Sequence, residues 1–262
     1  MRSVDARLGK ARGQVALAGD HAHIETASWR AVAAALYLCA IAAITIALLI
    51  FFPPHFDLKI ETVISVIVVA VFLMAMERPV NTPATMVAPL TAISAASAVA
   101  FGSWVIVLSV VAWLAVRFHI NNGEEKWRNL IKPETIGQIC IAINVSYAYL
   151  GLWHLAVHFQ NLLPSFFHNL LTFVGVVAVG LGGQTVNNLF AYPWYLIKGH
   201  PFSISQLFRT GVVASIYAYL LLATYKFGGL LATAIFYMVV AQVRVVQDLL
   251  GVTAQLHKLE KA

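Results

Sequence analysis

Long apolar runs constrain this chain more than any other feature. Read as membrane crossings, they predict about eight helices, at residues 31–52, 60–76, 85–101, 103–119, 136–157, 169–197, 211–226 and 227–247. Apolar residues make up 60% of the chain and charged residues only 11%, proportions that a water-compatible surface does not support. We therefore expect an all-α, polytopic integral membrane protein.

The basic residues are divided very unevenly between the predicted loops. Lys59 and Lys226 fall on one side of the membrane. The other fifteen of the seventeen lie in both tails and in alternate loops, on the opposite side: Arg2, Arg7, Lys10, Arg12, Arg30, Arg78, Arg117, Lys126, Arg128, Lys132, Lys198, Arg209, Arg244, Lys258 and Lys261. Because basic loops resist translocation, this second side is predicted to be the cytoplasm, with both termini there. A net charge of +6 then reflects residues that face an anionic leaflet, and no nucleic-acid partner is expected.

The predicted crossings divide the chain into three segments. Residues 1–30 form a basic cytoplasmic tail, residues 31–247 a transmembrane helical domain, and residues 248–262 a cytoplasmic helical extension. None of the loops is long enough to fold as a soluble catalytic domain, so we do not expect an enzyme and predict no catalytic residue. The first apolar run is long enough to span, and it is expected to remain as an uncleaved anchor.

Polar side chains inside the predicted spans are neutral. No Asp, Glu, Lys or Arg lies deep in the hydrocarbon, which argues against a proton pump or an ion-coupled transporter. Amides are present instead, and Asn144 and Asn188 lie at matched depths of about 12–14 Å from the cytoplasmic helix ends. One interpretation is a site for a neutral ligand, held by Asn144, Gln184, Asn187 and Asn188. The other is hydrogen bonding between helices, with Gly180, Gly182 and Gly183 as a packing seam.

Small residues recur every fourth position along the first predicted helix. They are Ala31, Ala35, Cys39, Ala43 and Ala47, which we call the alanine stripe. Such a stripe lets another helix approach closely, and we expect that helix to be internal, with a partner chain as the alternative. Cys39 and Cys140 both lie within predicted spans, so they are expected to be packing residues and not a disulfide.

Four histidines are predicted to lie at the outer face, namely His55, His154, His158 and His168, and Asp57 joins them. His154 and His158 are one helical turn apart on the same face, a spacing at which two ligands can share a metal. A metal or haem site is one interpretation. The alternative, which we favour, is an interfacial belt together with Trp153, and no cofactor is predicted.

Beyond the last predicted span, apolar residues continue at heptad spacing. Val245 is followed by the residues we call the C-terminal stripe, Leu249, Val252, Leu256 and Leu259. Spacings of 4, 3, 4 and 3 predict a helix that leaves the bilayer and pairs with a second copy or another subunit. An amphipathic end that lies on the membrane is the alternative.

Four segments resemble a known group of proteins: residues 103–152, residues 185–201 (TVNNLFAYPWYLIKGHP), YKFGG at 225–229 and the ending LHKLEKA. The chain resembles the N-terminal membrane region of bacterial receptors with HD-GYP or GGDEF cyclic-di-GMP domains. Such regions are similar in architecture to the S components of energy-coupling-factor vitamin transporters. The resemblance implies a ligand-binding sensor in the bacterial inner membrane with its output at the C terminus. The chain ends where the resemblance places the output domain, so it is expected to be either a fragment or a free-standing member whose output is a partner protein.

These observations lead to one main expectation and two alternatives. We expect a membrane-embedded small-molecule-binding or signal-input module whose partners are the lipid bilayer and a second copy or other membrane subunits. The alternatives are an S-component-like uptake subunit and a structural accessory subunit of a larger membrane complex. An enclosed polar pocket with an outer opening would favour the sensor or the uptake subunit, whereas a flat apolar perimeter would favour the accessory subunit.

Overall fold

The described part of the protein is entirely helical. A computed structural model describes residues 29–76, 83–120, 132–162, 164, 168–198, 212, 215–236 and 238–239. Seven helices lie in these ranges: α1 Trp29–Phe51, α2 Ile60–Met76, α3 Pro83–Phe101, α4 Trp104–Ile120, α5 Pro133–Asn161, α6 His168–Lys198 and α7 Ser215–Phe236. The predicted all-α class is confirmed for these residues.

Four of the seven helices are long and apolar enough to cross a membrane. They are Trp29–Phe51, Pro133–Asn161, His168–Trp194 within α6, and Ser215–Phe236. The other three contribute shorter apolar stretches, at Ile60–Val71, Ala92–Phe101 and Trp104–Ala115. The chain thus has the helices of a polytopic membrane protein, while the full set of eight crossings stays a prediction.

Helix starts follow local signals. Proline occupies the first position of α3 and of α5, where its missing N–H costs no hydrogen bond and its fixed φ suits a helix. Before α2, Asp57 accepts hydrogen bonds from the backbone N–H of Lys59 at 3.1 Å and from the Thr62 hydroxyl at 3.1 Å. The bond from that N–H, with the Thr62 hydroxyl and the nearby Lys59 charge, lowers the pKa of the Asp57 carboxyl.

A tight turn joins α3 to α4. Gly102 has a φ of 57°, a left-handed conformation that side chains disfavour, and Ser103 follows it directly. The Gly102 carbonyl accepts the Val105 N–H at 3.1 Å as α4 begins. The predicted boundary between the crossings at 85–101 and 103–119 falls at this turn.

Both predicted outer turns lie at the same end of the helices. The His55 N–H donates to the Ser103 hydroxyl at 3.2 Å, and the Trp104 indole N–H donates to the Asp57 carbonyl at 2.9 Å. Phe56 and Trp104 also pack with ring centroids 4.8 Å apart. The segment between α1 and α2 therefore shares a side with the α3–α4 turn, as the alternation of crossings predicts. Which compartment this side faces stays a prediction.

The core forms where α5 packs against α6 and against α3 and α4. Tyr149 of α5 is 2% exposed, and its ring lies against Gly183 of α6, where any Cβ would overlap the ring. Hydroxyls link three helices nearby: Ser109 lies 3.1 Å from Ser94 and 3.0 Å from Ser146. Shared hydroxyl bonds satisfy polar groups that hydrocarbon cannot solvate.

Helix α7 runs through the boundary predicted between the last two crossings. The sequence places a break at residues 226–227, whereas the helix is continuous from Ser215 to Phe236. Gly229 within it has a φ of 66°. This left-handed conformation lies close to the predicted break, and residues other than glycine disfavour it within a helix.

Candidate functional site

Asn144 is buried at the contact between α1 and α5. It is 3% exposed, and its Oδ1 lies 3.0 Å from the Thr45 hydroxyl, which is itself 4% exposed. The same hydroxyl lies 2.9 Å from the Ile41 carbonyl and 3.3 Å from that of Cys140. Thr45 is thus the partner of Asn144, and sequence reasoning missed it. Its one signal is a small hydroxyl-bearing side chain within the aliphatic stretch that follows Tyr37 in α1.

The Asn144 amide is only half satisfied. Its Nδ2 is buried and has no hydrogen-bond partner within the described residues. The Thr45 hydroxyl has a single proton, for which Asn144 Oδ1 competes with the carbonyls of Ile41 and Cys140. Rotating the amide by 180° lets Nδ2 donate to Thr45 but leaves Oδ1 without a donor. In either orientation, one polar atom of Asn144 lacks a partner there.

The other three predicted amides lie together on α6. Gln184 is 2% exposed and donates to Asn188 Oδ1 at 2.9 Å, one turn along the same helix. Asn187 and Asn188 are half-buried. Asn144 is held by α1, and its role in a ligand site with these amides stays a prediction.

Glycines on α6 permit close helix contacts. A Cβ on Gly180 would lie 3.0 Å from the Cα of Ser215 on α7, and one on Gly182 would overlap the Leu152 side chain of α5. The Gly183 backbone meets the Tyr149 ring in the same way. These contacts are those of a packing seam, the second interpretation of this segment.

A proline lies within α6 near its end. Pro193 has no N–H to donate to the Leu189 carbonyl one turn before it, while the helix continues to Lys198. The Tyr37 hydroxyl of α1 donates to the Phe190 carbonyl, three residues before the proline, and its ring lies 6.2 Å from that of Trp194. Helix α1 thus contacts α6 beside its internal proline.

A cavity lies between α2, α3 and α7, and we call it the apolar cavity. Its volume is about 70 Å³, and it is partly open. Val68 and Val69 of α2 form one wall, and Ala96 and Ala100 of α3 form another. Phe101 closes the end of the α3 wall with Tyr225 of α7, their rings meeting edge to face at 5.3 Å.

Helix α7 contributes to the apolar cavity on both sides of Gly229. Leu221, Leu222 and Tyr225 precede the glycine, while Leu230, Thr233 and Ala234 follow it. Sequence reasoning did not single out this cavity, because aliphatic lining residues carry no chemical signature. The only signal is the spacing of Ala96 and Ala100, two small residues one turn apart.

The alanine stripe faces outward. Ala31, Ala35, Cys39 and Ala43 are exposed and Ala47 is half-buried. Helix α1 contacts α5 through a different face, with Leu38 against Gly137 and Thr45 beside Asn144. Among the described residues, no helix covers these four exposed positions, and an internal helix on the stripe stays a prediction. A partner chain on the stripe stays a prediction.

The four histidines lie in three separate parts of the described chain. His154 and His158 are exposed on α5, His55 is exposed before α2, and His168 begins α6. Gln160 joins α5 to α6 there by donating to the His168 carbonyl at 3.3 Å. Within the described residues, no three His, Cys, Asp or Glu side chains are grouped to hold a metal ion. Metal binding by His154 and His158 stays a hypothesis.

The C-terminal stripe, Leu249, Val252, Leu256 and Leu259, lies outside the described residues. No protein-family model, curated protein or solved structure matches the chain.

Proposed function

We propose that this protein is a membrane-embedded small-molecule-binding module that passes a signal through its last helix. In this proposal it has about eight crossings, both termini are cytoplasmic, and it resides in a bacterial inner membrane. The supporting resemblance is to the membrane regions of cyclic-di-GMP receptors. One observation carries the proposal: the apolar cavity is lined by α7 on both sides of Gly229.

The position of Gly229 provides a mechanism for the signal. A ligand in the cavity contacts Leu222 and Tyr225 before the glycine and Thr233 after it. Such a ligand has a different free energy of binding for each angle between the two halves of α7, so it favours one angle. The half after Gly229 leads along the chain towards the C-terminal stripe. Ligand binding would thus change how that stripe meets its partner.

Cross-linking tests the coupling. Cysteines introduced at Val252 or Leu259, in a chain with Cys39 and Cys140 replaced by Ala, are expected to cross-link between two copies in native membranes. Filling the cavity with Ala96→Leu, which imitates a bound ligand, should change the yield by about fivefold or more, the range of ordinary allosteric coupling. Ala43→Leu on the exposed face of α1 is the matched control.

The outcomes separate the candidate functions. A yield that responds to Ala96→Leu and not to Ala43→Leu supports a signal-input module. A constant yield contradicts coupling and leaves a binding protein without output. Cross-links to a different chain, or none at all, favour an accessory subunit.

A second candidate, a subunit docked in a larger membrane assembly, is favoured by the exposed alanine stripe. Native Cys39 lies in its middle and is exposed, whereas Cys140 is half-buried on α5. In Cys140→Ser membranes, a photoreactive group attached to Cys39 should join it on irradiation to a protein of different mass if an energising or scaffolding partner covers the stripe. Cross-links to lipid alone in native membranes would contradict this candidate.

A further inference from the structure

The apolar cavity lies at membrane depth and opens beside lipid-facing side chains. Val68 lies eight residues into α2, and Ile93 lies eight residues before the end of α3, so the walls extend about 12 Å from the helix ends. Ile67 beside the α2 wall is 56% exposed, and Leu231 beside the α7 wall is 74% exposed. Both are apolar, so the helix faces beside the cavity walls are suited to contact with the hydrocarbon of a bilayer.

The lining offers very little to a polar solute. Among the described residues, none of the side chains that line the cavity is charged. The Thr233 hydroxyl donates within its own helix to the Gly229 carbonyl at 2.9 Å, which leaves Ser97 and Tyr225 as the other hydroxyl-bearing residues. A ligand with several hydrogen-bonding groups would lose its water and find few partners, and a hydrocarbon incurs no such cost.

The size of the cavity narrows the choice further. Its volume of about 70 Å³ is roughly half that of a cavity of about 150 Å³ that accommodates benzene. It therefore holds a short length of chain and not a fused ring system. Because the cavity is partly open, the rest of a longer molecule can remain in the bilayer.

We infer that the apolar cavity takes the hydrocarbon chain of a membrane lipid, inserted sideways from the bilayer between α2 and α7. This inference rests on the proposed function, because it names the ligand class of the same cavity. Burial from water does not drive the insertion, since lipid tails are as apolar as the lining. Insertion is favoured by the van der Waals contacts that the chain gains with the cavity walls, which otherwise border a void. The bilayer presents its chains at very high local concentration, so modest affinity is enough.

Photolabelling tests the inference. The full chain is reconstituted in phosphatidylcholine vesicles that contain a phosphatidylcholine with a diazirine in its acyl chain, irradiated and digested. Labels are expected on the α7 peptide that carries Leu222 and Tyr225. Ala96→Leu fills the cavity and should abolish most of that labelling, while Leu222→Ala enlarges it and should increase labelling. The outward Ala43→Leu variant should leave the α7 label unchanged.

Opposite shifts in the two cavity variants support a lipid chain in the cavity. If Ala96→Leu does not fold, the enlarging variant alone decides, because unchanged or lower labelling in Leu222→Ala overturns the inference. Equal labelling of α7 in every folded variant means contact with bulk lipid only and also overturns it. If the cavity variants change the labelling but not the C-terminal cross-link, the lipid inference stands and the proposed signal is rejected. If they change the cross-link but not the labelling, the proposed signal stands and the lipid inference is rejected.

Discussion

Thr45 on α1 and Asn144 on α5, separated by 99 positions, share a buried hydrogen bond of 3.0 Å. This bond is one of the polar contacts between the first apolar helix and the rest of the molecule, and both of its partners are buried. Removing Thr45 and removing Asn144 should therefore differ in their cost to stability. Thr45 has a second acceptor in the Ile41 carbonyl, whereas one amide atom of Asn144 has no partner among the described residues.

The asymmetry predicts unequal effects of removing each partner. Asn144→Leu is expected to lower the free energy of unfolding by roughly 0.6–2 kcal/mol, the range for interhelical hydrogen bonds. Thr45→Val should cost more, because it leaves the whole Asn144 amide buried without that partner. The double variant should resemble Asn144→Leu alone. Unfolding in detergent micelles measures all three.

The same variants distinguish the two interpretations of Asn144. Loss of a co-purifying ligand in Asn144→Leu, with unfolding unchanged, would favour the amide ligand site. If neither unfolding nor ligand content changed, both interpretations would be wrong.

Gly183 and Gly151 form a matched pair for the packing of α5 on α6. Gly183→Ala places a methyl group on the buried Tyr149 ring and should destabilise the protein by about 1–3 kcal/mol. Gly151 on α5 is exposed with no atom within 4 Å of a built Cβ, so Gly151→Ala should be neutral or stabilise by up to about 1 kcal/mol. Thermal unfolding compares them, and equal midpoints would show that α6 does not pack as described.

Reporter fusions can test on which side of the membrane each loop and terminus lies. Fusions after Lys10, within residues 121–132 and after Ala262 are expected to report the cytoplasm, because these segments carry most of the basic residues. Fusions near His55 and Asn161 should report the exterior. Cytoplasmic signal at Asn161 would contradict the charge argument and reverse every assignment of sides.

The His154 and His158 pair predicts a result for purified protein. Elemental analysis and a visible spectrum, without chelator in the purification, are expected to show no stoichiometric metal or haem. The reason is that the pair has no third ligand grouped with it among the described residues. A stoichiometric metal that disappears in a His154→Ala, His158→Ala double variant would show that the metal interpretation was correct.

Much of the helix layout was predictable because its causes are local. The second crossing was predicted at 60–76 and α2 spans Ile60–Met76, while the turn between α3 and α4 falls at Gly102 as expected. The predicted fifth crossing, 136–157, was shorter than α5, which begins at Pro133. The crossing was predicted from the apolar run, which polar residues such as Glu134 and Gln160 limit, whereas the helix itself continues through them.

The sequence by itself determined the class, the approximate positions of the helices and the neutral character of their polar residues, since these depend on neighbours along the chain. Tertiary structure alone decided which helix faces meet. Thr45 pairs with Asn144, Tyr149 meets Gly183, the alanine stripe points outward, and both halves of α7 border the apolar cavity. The physical reason is that helices apolar on all sides carry no marked face, so their rotations follow from packing between distant residues.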